Sequence, residues 1–165
     1  MKKIISIILL SLAFILLFSG CISTKAGPSS QTTSIANPWS DWPSIEEAEA
    51  AVGFSFGLPE LIGQFRAEKF RTLNNELIEI IYSDGDCEVR VRKHSGEEQD
   101  ISGDYNTYEK FEESRINGAK VSTYYNSSGG AVKQTISHQG YSWSLVASEG
   151  YSGDSNIDFI NEICK

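Results

Sequence analysis

Asn117-Gly118 sits between two runs of strand-forming residues, Phe111 to Ile116 and Ala119 to Tyr125. This is the feature that most constrains how the chain can fold. A two-residue Asn-Gly link favours positive φ at both positions, and that backbone suits the tight turn of a twisted hairpin. The pattern recurs along the chain. Gln64 to Leu73 and Glu76 to Tyr82 are strand-like. Ser83-Asp84-Gly85-Asp86 is a turn, and Cys87 to Lys93 sets Val89 and Val91 against Glu88, Arg90 and Arg92. Such alternation describes a strand with one face buried and one face wet. Ser95 to Gly103 is polar and breaks the series. Asn126 to Gly130 turns the chain into Ala131 to His138, and Gln139-Gly140 leads into Tyr141 to Ser148, where Tyr141, Trp143, Leu145 and Ala147 share a face.

A helix is expected at each end. Ser44 and Glu47 have capping-box spacing and Gly53 stands where that helix would stop. Ser155 and Asp158 resemble a second cap, with Ile157, Ile160 and Cys164 on one face. The expected fold class is α+β: a single antiparallel sheet of about six strands, a meander of hairpins, with a short N-terminal helix and a C-terminal helix.

Residues 1–20 carry a different signal. Lys2 and Lys3 precede an apolar stretch from Ile4 to Phe18 that only Ser6 and Ser11 interrupt, and Ser19-Gly20 leads directly into Cys21. This is the plan of a secretory signal, and the stretch is shorter than the roughly 20 residues a spanning helix needs. The Cys after a small pair is similar to a lipoprotein box, which implies acylation of Cys21 and cleavage before it. Phe18 stands where such boxes usually carry Leu. Residues 21–36, rich in Ser, Thr, Gly and Pro, read as the lipidated Cys and a flexible tether reaching on the order of 20 Å. Residues 37–165 are then one domain. The expected location is membrane-anchored by lipid and facing outside the cytoplasm.

The formal charge is −8, and it becomes −10 once the signal with its two lysines is removed. That balance argues against nucleic acid as a partner. With Cys21 assigned to lipid, Cys87 and Cys164 remain, and two readings stay open: a disulfide, as suits an exported domain, or two separate buried thiols.

Several segments are similar to a known family. They are Asn37-Pro38-Trp39, Ser44 to Phe56, Leu77 to Tyr82, Cys87 to Lys93, Asp100 to Tyr108 and Gly140 to Leu145. Together they resemble the domain-of-unknown-function 4367 family over residues 37 to 163, most specifically in Gly103-Asp104-Tyr105-Asn106. The resemblance implies a small extracytoplasmic domain of the kind found in lipoproteins or beyond a single membrane span. It brings no catalytic residues, and it tilts the functional reading towards sensing or binding.

Ser102 to Tyr108 is the best site candidate, because Asp104, Tyr105, Asn106 and Tyr108 place ring faces beside hydrogen-bonding groups in a loop. A structural loop is the competing reading. Tyr124, Tyr125, Tyr141, Trp143 and Tyr151 are either an exposed platform or, as is commoner, cross-strand core pairs. Trp39 and Trp42 are expected to staple the chain onto the domain. Asp84, Asp86 and Glu88 fit a turn better than a calcium loop. His94 and His138 lack the spacing of a zinc site. Asn126-Ser127-Ser128 is a glycosylation sequon. No catalytic set, metal or cofactor is expected. The leading expectation is a non-enzymatic binding or sensing domain for a protein, peptide or envelope component. A carrier of lipid or another hydrophobic ligand is the alternative, and an envelope-polymer hydrolase comes third.

Overall fold

The computed structural model describes residues 37–151 and 153–165, with side chains from 149 to 156 left aside. The signal, Cys21 and the tether therefore lie outside the described residues. No helix among the described residues is long and apolar enough to cross a membrane.

The chain is α+β and its strands pair antiparallel. Nine strands are described: β1 (Trp39–Trp42), β2 (Leu61–Ile62), β3 (Phe65–Leu73), β4 (Leu77–Ser83), β5 (Glu88–Ser95), β6 (Lys110–Ile116), β7 (Ala119–Tyr125), β8 (Ala131–His138) and β9 (Tyr141–Tyr151). Helices α1 (Ile45–Val52) and α2 (Gly153–Ile163) complete the order. The expected count of about six is thus too low. β1 and β2 have four and two residues, too few for alternation to register, and both pair with the long β3.

The expected meander also needs correction. The order across the sheet is β1-β3-β4-β5-β9-β8-β7-β6. Two meanders, β3-β4-β5 and β6-β7-β8-β9, are joined because β9 pairs with β5, with Val91 opposite Leu145. The connection from β5 to β6 must therefore travel from the middle of the sheet to its far edge. This long connection carries Ser102 to Tyr108, the candidate loop.

Local chemistry accounts for the elements. Asn117 and Gly118 adopt φ of 48° and 88°, and Ile116 faces Ala119 across the turn, as the Asn-Gly hairpin requires. The Ser44 hydroxyl accepts from the Glu47 amide at 3.4 Å, and Gly53 takes the left-handed C-cap at φ 80°. The second cap differs from expectation. α2 starts at Gly153, so Ser155 lies inside the helix. Its buried face is Phe159, Ile160, Ile163 and Cys164, whereas Ile157 is exposed. Ile157 falls roughly a quarter turn from the centre of that stripe at 100° per residue.

One face of the sheet carries the core. Ile78, Ile80, Tyr82, Val89, Val91, Leu145 and Val121 are buried there, with Phe56 and the α2 stripe against them. Phe159 meets Tyr82 and Phe65 edge-on, with ring centroids 5.2 and 5.7 Å apart. Burial pushes the Tyr82 hydroxyl pKa up, with the charge of Glu60 adding to it, and the hydroxyl donates to the Pro59 carbonyl at 3.0 Å. Lys93 also points to this side. Its ammonium donates to the Ser55 carbonyl at 2.6 Å and lies over the rings of Tyr141 and Trp143. Burial lowers its pKa, with Glu49 opposing. Lys93 thereby clamps the segment after α1 onto the sheet.

No disulfide joins Cys87 and Cys164. Cys87 precedes β5, with its sulfur 3.8 Å from the Ser148 hydroxyl, while Cys164 is buried in the core beyond α2. Burial raises the Cys164 thiol pKa. Cys164 is thus a buried thiol, whereas Cys87 is only half-buried.

Candidate functional site

The second face of the sheet is polar, yet it is not the wet face that alternation in β5 suggested. Glu79 of β4 is fully buried there. Arg71 of β3 donates to its Oε1, from Nε at 2.9 Å and also from Nη2, and Arg92 of β5 donates from Nε to Oε2 at 2.7 Å. The Trp39 ring covers both guanidinium groups, at 4.8 and 5.1 Å. Three strands in register bring these charges together, since Glu79 pairs with both Arg71 and Arg92. A carboxylate flanked by two cations and sealed by an indole can be buried because its oxygens are satisfied.

The β5–β6 connection, residues 96–109, is fastened over this face. The Glu98 amide donates to the Ser137 hydroxyl at 2.9 Å and the Gln99 amide to that of Ser142 at 3.1 Å. Arg92 uses Nη1 to reach the Ile101 carbonyl at 3.0 Å. Lys133 of β8 donates to the Asp100 carboxylate at 3.0 Å and to the Asp104 carbonyl at 3.4 Å. Gly103, at φ 62°, passes so close to Arg92 that a Cβ there would overlap the guanidinium. The guanidinium cannot swing aside cheaply, because Glu79 and Ile101 hold it.

On both sides of Gly103 the loop is wired to itself. The Ser102 amide donates to Asp100, and the Asp104 amide donates to the Ser102 hydroxyl. Asp104 accepts from the Asn106 amide at 3.0 Å, the Asn106 side chain at 2.7 Å and the Tyr108 hydroxyl. Burial works against the Asp104 carboxylate, but the hydrogen bonds from Tyr108 and Asn106 and the charge of Lys133 outweigh it and hold its pKa below the usual range. Asp100 is held low in the same way, with Ser102 and Lys133 overcoming burial. Burial, then the bond to Asp104, raises the Tyr108 pKa.

All four loop residues singled out from the sequence are thus together, but they play different parts. Asp104 and Tyr108 spend their polar groups within the loop. Tyr105 is 96% exposed and free to meet a partner. The loop stands between two open clefts. One, of about 670 Å³, is lined by Arg90, Asp104, Tyr105, Tyr108, Val146 and Ser148, among others. The other, of about 570 Å³, includes Thr107, Glu109, Lys110 and Tyr125. Asn106, Tyr108 and Asn126 border both.

A row of rings continues from the loop. Tyr108 and Tyr124 have centroids 5.7 Å apart, and Phe111, itself 58% exposed, stacks on Tyr124 at 5.9 Å. The Lys133 ammonium lies 4.5 Å from the Tyr124 centroid. Phe111, Lys133 and the Glu79–Arg92 pair were missed in the sequence. Phe111 could have been found there, since a large apolar residue alternating with Lys110 and Glu112 on a strand is a surface signal. The others depend on register between distant strands.

The remaining candidates fall elsewhere. The five aromatics do not form one platform. Trp143 is buried against Phe56, Tyr141 meets Phe54, and Tyr125 bonds Glu112 from the core side, while Tyr124 alone joins the ring row. The Tyr151 side chain lies outside those described. Trp39 and Trp42 tie β1 down, Trp42 by donating to the Thr72 hydroxyl at 3.0 Å. Asp84 caps its own turn, accepting from the Cys87 and Asp86 amides, which lower its pKa in that order. Among the described residues no three His, Cys, Asp or Glu side chains gather as a metal site. Asn126 holds its turn through Ser128 and Gly130.

No family model matches the chain, and no curated protein or solved structure matches it.

Proposed function

We propose that the chain is a lipid-anchored extracytoplasmic binding domain that holds a peptide or glycan chain against the loop from Gly103 to Tyr108. In this reading Cys21 carries the anchor, the tether presents the domain, and the domain is a member of the family it resembles. The activity is binding rather than bond breaking.

The observation that carries the proposal is Tyr105, which stands 96% exposed between Asp104 and Asn106, whose backbone amides are both hydrogen-bonded within the loop. An exposed ring on a rigid support gives contact area at little ordering cost, which favours affinity. The row from Tyr108 to Phe111 offers further ring faces to successive units of a chain ligand. Asn106, Asn126 and Ser148 border the clefts and supply hydrogen bonds.

The test is thermal unfolding of the mature protein against envelope glycans and peptides. A ligand at a hundred times its Kd adds about 2.7 kcal/mol. Tyr105→Ala should leave the unliganded midpoint unchanged and abolish the shift, and Phe111→Ala should weaken it. If both variants respond as the parent does, the site is wrongly placed.

A further inference from the structure

We infer that the ligand held at the loop is an acidic peptide, and that Arg90 takes a carboxylate of it. This rests on the binding role proposed for the loop and narrows that role to one ligand class.

Arg90 is set apart by its lack of an acceptor. Among the described residues, the lysines and arginines that are not fully exposed are Arg71, Arg90, Arg92, Lys93 and Lys133. Arg71 and Arg92 share Glu79, Lys93 reaches the Ser55 carbonyl, and Lys133 reaches Asp100. Arg90 alone has no hydrogen bond or ion pair to a described residue. A guanidinium partly withdrawn from water gains from an acceptor, because its unmet donors cost free energy. Register puts this one beside the loop. Arg90 and Lys133 stand in one row on either side of Val146, and Lys133 donates to the Asp104 carbonyl. Two residues along β5, on the same face, Arg92 bonds the Ile101 carbonyl. Arg90 thus lines the cleft of about 670 Å³ that Tyr105 also borders.

The half-buried polar groups left over in that cleft are donors. The Asp104 carboxylate accepts from Asn106 and Tyr108, and the Ser148 hydroxyl accepts from the Glu88 amide. Asn126, half-buried in the turn from β7 to β8, commits Oδ1 to Ser128 and Gly130, which leaves its Nδ2 to a ligand. Arg90 and Asn126 therefore call for oxygens that bear no proton. The carboxylate and backbone carbonyls of a peptide supply them, whereas a sugar hydroxyl brings a proton that needs an acceptor of its own. A carboxylate also matches a single guanidinium in charge and in fork geometry. The double charge of a phosphate monoester would call for a second cation, and the described lining of the cleft holds none besides Arg90.

The experiment exposes the full chain to a positional-scanning array of acetylated, amidated hexapeptides, with oligogalacturonate as the acidic-glycan probe. Affinities are then measured by fluorescence anisotropy for the best-retained peptide and for its counterpart with Asn or Gln in place of Asp or Glu. Retained peptides should carry an acid at one fixed position, and the amide counterpart should bind about tenfold more weakly, as for a lost charge-assisted hydrogen bond. Arg90→Gln should bring the two affinities together, and Arg90→Lys should keep part of the preference, since it retains the charge without the fork. Arg66→Gln, at an exposed arginine of β3, should leave the preference whole. The readout is a ratio of two affinities on one variant, so a loss of folded protein lowers both and leaves the ratio alone. An acid preference that survives Arg90→Gln would overturn the inference. Peptides retained without an acid preference and lost in Tyr105→Ala, or oligogalacturonate bound in place of any peptide, would overturn it while the loop keeps its binding role. Binding of neither probe would remove both readings.

Discussion

Replacing Glu79 with Gln tests the link between the buried charges and the site. The carboxylate is fully buried and takes hydrogen bonds from both Arg71 and Arg92, whose side chains are 22% and 11% exposed. The amide keeps the shape but removes the charge, and its NH₂ faces a guanidinium that can only donate. Breaking a buried pair by neutralising one partner costs about 3–5 kcal/mol, most of it from the cations left behind. Because Arg71 keeps partial access to water, the lower part of that range applies, about 3 kcal/mol. For a domain of this size that is a fall of roughly 10 °C in Tm. The assay is thermal and urea unfolding followed by tryptophan fluorescence, since Trp39 lies on both guanidinium groups. Glu113→Gln, at an exposed glutamate, is the control. A triple change of Glu79, Arg71 and Arg92 to apolar residues should recover most of the stability. It should not recover ligand binding, because the Ile101 carbonyl loses its anchor. If Glu79→Gln and Glu113→Gln melt within about 1 kcal/mol of each other, the network is not dry in solution and the account of the loop's support fails.

Gly103→Ala should cost about 1–2 kcal/mol, from a positive φ and from overlap with a pinned Arg92; a melt equal to the parent's would show that the loop is not held against Arg92. Asp100 and Asp104 have folded pKa values below their unfolded values of about 3.9, so their contribution is complete above that pH and is lost as pH falls through the folded values. Binding should therefore persist at pH 4 and fail only at lower pH, as the folded values are crossed, and Asp104→Asn should flatten that dependence in a titration by calorimetry. Cys164, buried and with its pKa raised, should resist iodoacetamide in the folded protein and react only on unfolding, as peptide mapping would show.

Much of the fold was legible because it is local. The Asn117-Gly118 turn, the Ser44 and Gly53 caps and the alternation of Val89 with Arg90 depend on neighbours a few residues away, and each is present. β1 and β2 were not legible, since strands of four and two residues exist only because β3 offers an edge. The β5–β9 pairing was also hidden. Alternation tells which face a residue takes but not which strand lies beside it, so a plain meander and the observed order read alike. The loop was legible as a polar connection carrying Asp, Asn and two tyrosines. What it could not reveal was the division of labour, in which Asp104 and Tyr108 bond each other and Tyr105 is left to the solvent.

The topology explains why a long connection is fastened over this face. With β9 inserted beside β5, the chain leaving Ser95 must cross β9, β8 and β7 before it can form β6 at the far edge. A crossing of this kind buries backbone amides and carbonyls, so the face beneath it has to offer partners. The residues facing it do so: Ser137, Ser142, Arg92 and Lys133 each bond the connection. Polarity on this face of the sheet is therefore a requirement of the fold and not by itself a sign of function. The same reasoning isolates what the fold does not require. Tyr105 and Phe111 bury little and remain exposed at the end of the crossing. The stability of the fold does not call for either ring, and the proposed binding role rests on these two.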